Sequence, residues 1–138
     1  MTADAIVSIL EAELAAGAAL AETLERQRVA LIARDLEGID ELTERLQEQF
    51  AHFHAVLRSR EQALPAVGSP GDRVAALLRE ARDLEARVVG LARLNNELLA
   101  DRLARVNTVL SALLPETAAG YSPAGGLRRS GGTLARSA

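Results

Sequence analysis

His52 and His54 are the only histidines of the 138-residue chain, and with Glu48 they are its nearest approach to a metal site. An i, i+2 pair points to different sides of a helix, which is the wrong spacing for two ligands of one ion. Glu48 and His52, at i and i+4, can reach a common ion, but on a charged helix they read more simply as a solvated surface pair. The stretch "GGLRRSGG" has neither the spacing nor the strand-to-helix context of a phosphate-binding loop, and Ser130 within it offers only a hydroxyl after two arginines. Cysteine is absent, so disulfides, thiolate metal sites and thiol redox chemistry are excluded. The numerous carboxylates lie on helically patterned segments, where they serve as solvating faces. No catalytic, cofactor-binding or metal-binding residue is expected, and an enzyme is not expected either.

What the chain offers instead is apolar surface at helical spacing. Apolar residues make up 49% of it and aromatic residues 2%, so any core is built from Leu, Ala and Val. A composition led by Ala, Leu, Glu and Arg predicts an all-α protein. Net charge is −3 but uneven: residues 1–114 carry 13 Arg against 18 acids, while residues 115–138 carry three Arg against Glu116. An acidic body argues against a nucleic-acid partner, which needs a concentrated basic face. The opening "MTADAIVSILEAELAAG" lacks a basic leader and is interrupted by Glu11 and Glu13, so a signal peptide is not expected. No window reaches the roughly 18–20 apolar residues of a membrane span. A cytoplasmic protein is the expectation.

Three helices are predicted, at about 3–33, 36–64 and 72–114. The first carries Val7, Leu10, Leu14, Gly17, Ala21, Leu24 and Leu31 at three-four spacing, interrupted by Arg28. Asp35, as an N-cap, and Gly38 mark a very short turn into the second, whose stripe is Ile39, Leu42, Leu46, Phe50, Phe53, Leu57 and Leu64. Pro65, Gly68, Pro70 and Gly71 end it. The third helix is about 65 Å long at 1.5 Å per residue, against about 45 Å for each of the others. Val74, Leu77, Ala81, Leu84, Val88 and Leu91 are expected to pack on the first two, leaving the last turns overhanging. Around Asn95 the stripe changes register, and the row Leu99, Leu103, Val106, Leu110 and Leu113 takes over. Asn95 reads equally as an exposed residue or as a core polar group that fixes register and partner choice. The Gly/Ser/Arg-rich stretch 115–138 shows no periodicity and is expected to be disordered. Within it Tyr121 is the one aromatic anchor. The expected architecture is an elongated, antiparallel three-helix coiled-coil bundle of residues 1–114, with an overhanging third helix and a disordered tail.

The order of these features resembles the FlgN family, the flagellar export chaperones. The run "RVALIARDLEGIDELTERLQEQFAHFHAVLRSREQAL" is similar to the family's helix–turn–helix, with Asp35 at the turn and Arg58 or Arg60 near the end. "LARLNNELLADRLARVNTVLSALL" followed by "GYSPAGG" resembles its third helix and tail, through Leu94, Asn95, Asn96, Leu98, Leu99, Tyr121 and Gly125. Arg45, where the family often has Lys, and a longer tail beyond Gly126 are departures, and the latter leaves the tail's role open. The resemblance covers about residues 5–126. It implies a cytoplasmic chaperone that binds hook-associated (hook-filament junction) proteins, prevents premature assembly and delivers them to the flagellar type III export gate and its ATPase complex, without ATP or metal of its own. Asn95, Leu99, Leu103, Val106, Leu110 and Leu113 are the implied client-binding residues, and Tyr121 the implied export-gate contact. An apolar helix face is what a helix-in-groove partner needs. Two alternatives use the same face: a chaperone or adaptor for another secretion client, and a structural coiled-coil protein that self-associates through the third helix.

Overall fold

A computed structural model describes residues 2–113. The tail 115–138, with Tyr121 and Gly125, lies outside the described residues. Three helices and no strand are found among them, so the fold is an all-α bundle: α1 (Ala3–Ala33), α2 (Leu36–Ala63) and α3 (Asp72–Leu113), with a short 3-10 turn at Leu64–Val67. The described chain divides into two units, residues 1–95 and residues from Asn96 onward.

The ends of the helices are set by local chemistry. Thr2 caps α1, its hydroxyl accepting from the Ala5 amide at 3.2 Å. At the other end Arg34 adopts the left-handed conformation, φ 60°, and its N–H donates to the Ala30 and Leu31 carbonyls. That backbone costs a non-glycine residue roughly 1 kcal/mol. It is held because the next residue caps α2, where the Asp35 carboxylate accepts from the Gly38 amide at 3.1 Å. A Cβ at Gly38 would stand against that carboxylate, so a larger residue there would require the Asp35 side chain to turn. Two residues therefore reverse the chain.

In residues 1–95, α2 runs antiparallel to α1, and α3 parallel to α1. Ile6, Leu10, Ala63, Val74, Leu78 and Ala81 form one apolar cluster. Leu20, Leu24, Leu46, Phe53 and Val88 anchor a second. Each buried leucine contributes about 2 kcal/mol of transfer free energy. Gly17 lets the three helices approach, since a Cβ there would stand 2.8 Å from Leu84 Cδ2 and 3.1 Å from Phe53 Cε1. Phe50, in the stripe read from the sequence, lies at the seam's edge and is exposed.

A charged layer separates the two clusters. Glu13 of α1 follows Leu10 and precedes Ala16; Arg60 of α2 stands between Leu57 and Ala63; Glu85 of α3 between Ala81 and Val88. The Arg60 guanidinium donates to Glu85 at 2.8 Å and to Glu13 at 3.2 Å, so one cation ties all three helices.

Candidate partner-binding face

Residues 96–113 of α3 are built from good helix formers, with an Asp101–Arg105 pair at 3.2 Å along one side and the Thr108 hydroxyl returned to the Ala104 carbonyl. Their apolar members Leu99, Leu103, Val106, Leu110 and Leu113 follow one another at steps of four, three, four and three. At 100° per residue these five side chains fall within an arc of about 80°, a single narrow face. Leu99 and Leu110 are half-buried. Leu103, Val106 and Leu113 are 42%, 54% and 71% exposed. Large aliphatic side chains at that exposure each gain on leaving water, which makes this face a candidate for covering by a partner.

Asn95 stands apart from that row. It is 1% exposed, and its amide nitrogen donates to the Leu24 carbonyl and to Gln27 Oε1, both at 2.8 Å. Of the two roles its position allows, the structure shows the core one: a buried amide that fixes how α3 registers against α1. Its Oδ1 has no hydrogen-bond partner among the described residues.

The remaining polar candidates assemble nothing. His52 and His54 are both exposed, and no three His, Cys, Asp or Glu residues among the described ones are placed to hold a metal ion. A shallow groove beside the α1–α2 turn is rimmed by Glu22, Glu25 and Asp35, but each is engaged: Glu22 with Arg26, Glu25 with Arg87, and Asp35 as a cap.

The residue that sequence reasoning missed is Glu13. It is 1% exposed, and both carboxylate oxygens lie 3.2 Å from one Arg60 nitrogen, which donates to Oε2 and leaves Oε1 without a hydrogen bond. Burial pushes its carboxyl up from 4.5 to about 7; Glu85, as an acceptor for the protonated form, adds to the rise, Arg60 opposes it, and the Glu85 charge adds again. The signal was present in the spacing. Ile6, Leu10, Glu13, Gly17, Leu20, Leu24, Gln27 and Leu31 form an unbroken three-four series, all buried, in which Glu13 and Gln27 are the polar members.

The family model described as FlgN protein matches residues 1–129, nearly the whole chain and both of its units. The chain belongs to the FlgN family. FlgN proteins are flagellar export chaperones rather than enzymes, and they bind flagellar client proteins. No curated protein and no solved structure matches the chain. Among the described residues of this FlgN-family chain, no helix is long and apolar enough to cross a membrane. The apolar face of residues 96–113 and Tyr121 both fall within the matched span.

Proposed function

We propose that this chain is a cytoplasmic chaperone of the hook-associated proteins, which it keeps from assembling early and delivers to the flagellar type III export gate. The observation that carries this reading is the exposed face at Leu99, Leu103, Val106, Leu110 and Leu113. It gives a terminal amphipathic helix of the client a row of knobs to pack against, at the spacing such a helix itself presents. Asn95, buried against Leu24 and Gln27, fixes α3 in register against α1. Tyr121, beyond the described residues, is the contact with the export gate in this reading.

Replacing Leu103 and Leu110 together by Asp places two charges on the face and tests it. Binding of a purified hook-associated protein, measured by calorimetry, is expected to weaken at least about a hundredfold, from the loss of two buried leucines and the desolvation of two carboxylates. The helical circular dichroism and the cooperative unfolding of the chain should persist. Unchanged affinity would overturn the assignment of the face, and so would unfolding of the bundle. The same exposed row favours a second reading, a homodimeric coiled coil, which sedimentation of the full chain distinguishes. A dimer abolished by Leu103→Asp, with no client retained by the wild type, would replace the chaperone assignment.

A further inference from the structure

The layer of Glu13, Arg60 and Glu85 poses a problem of charge. Two carboxylates and one guanidinium leave a surplus negative charge between two apolar clusters. The shorter ion pair, 2.8 Å, ties Arg60 to Glu85, whose side chain is partly open to water. Glu13 is the deeply buried member, with the longer pair and an oxygen that no donor reaches. An ionised carboxylate in that setting bears the desolvation cost with only part of one cation to offset it.

We propose that the folded chain holds one proton on this layer, on the Glu13 carboxyl beside Arg60 and Glu85, and that its release loosens the hold of α1 on α2 and α3. Protonation turns Glu13 from an acceptor into a donor, and Glu85 is the acceptor available to it. Glu85 then accepts from both Glu13 and Arg60, and the layer becomes neutral overall. The charged groups that bear on Glu13 among the described residues are Arg60 from α2 and Glu85 from α3, so the proton is read out by all three helices.

The sign follows from linkage. The carboxyl of Glu13 is raised from 4.5 to about 7 by folding, so the folded chain binds the proton more tightly than the unfolded one. Its contribution to stability is complete below about pH 4.5 and is lost as pH rises through about 7. Between pH 6 and pH 8 the folding equilibrium constant falls about tenfold from this group. His52 and His54 are exposed, lie away from this layer and are present in every variant used below.

The deciding experiment is a carboxyl carbon NMR titration of the full chain from pH 4 to pH 9, beside urea unfolding at pH 6 and pH 8, on the wild type and on Glu13→Gln. One side-chain carboxyl is expected to titrate near pH 7 in the wild type and to be missing from Glu13→Gln. That variant carries a permanent donor and should lose the tenfold dependence. Glu85→Gln leaves Arg60 to Glu13 alone and should move the Glu13 midpoint down. The proposal is overturned if every wild-type carboxyl titrates below about pH 5, if the near-neutral titration survives in Glu13→Gln, or if Glu85→Gln leaves the midpoint unmoved. The wild-type titration decides by itself should Glu13→Gln fail to fold.

Discussion

Leu24 and Leu113 are the same side chain on helices of the same three-four apolar spacing, yet one is 2% exposed and the other 71%. In residues 1–95 the series along α1 is covered throughout, down to its glutamate and glutamine. In residues 96–113 the equivalent row is half-buried at best. The difference teaches that periodicity specifies a face to be covered and is silent about what covers it. The first region has its cover within the chain; the cover of the second is what the proposed client-binding role supplies.

Substitutions that treat the two regions alike sharpen this contrast. Leu20→Ala, in the buried cluster, should cost about 2–5 kcal/mol in urea unfolding, because both transfer energy and a cavity are involved. Asn95→Asp should come next, at about 2–3 kcal/mol, since it replaces a donor with a charge facing two acceptors, the Leu24 carbonyl and Gln27 Oε1. The smallest effect belongs to Leu103→Ala, within about 0.5 kcal/mol of wild type, as expected for an exposed position. Should Leu103→Ala cost as much as Leu20→Ala, the face is covered in the free chain and the contrast fails.

Much of the fold could be read from the amino-acid sequence because it rests on local rules. Asp35 announces a cap through its own carboxylate, which accepts from the Gly38 amide. The stripe Val74, Leu77, Ala81, Leu84, Val88 and Leu91 is buried or half-buried as its spacing requires. Along α1 the apolar stripe took in Val7 and Leu14, which are half-buried, and passed over Glu13 and Gln27, which are buried. The reason is physical. Counting apolar residues cannot find a polar member of a seam, whose burial depends on a partner more than forty positions away, here Arg60. Of the two arginines near the end of α2, Arg60 continues the three-four series of Phe53, Leu57 and Leu64 and meets Glu13 and Glu85, whereas Arg58 lies off it and is exposed. The residues of the candidate face were legible from their spacing, whereas the role of Asn95 needed the third dimension.

The two-residue reversal at Arg34 and Asp35 bears on the order of events in folding. Loop closure costs little when the loop is this short, and α1 and α2 can zip together from the turn outward through contacts close in sequence. α3 must instead be brought back across Leu64–Gly71 and aligned over seven turns before Asn95 finds Leu24 and Gln27. The α1–α2 pair thus has the shortest loop of the bundle to close, while α3 reaches α1 only by spanning the whole of α2.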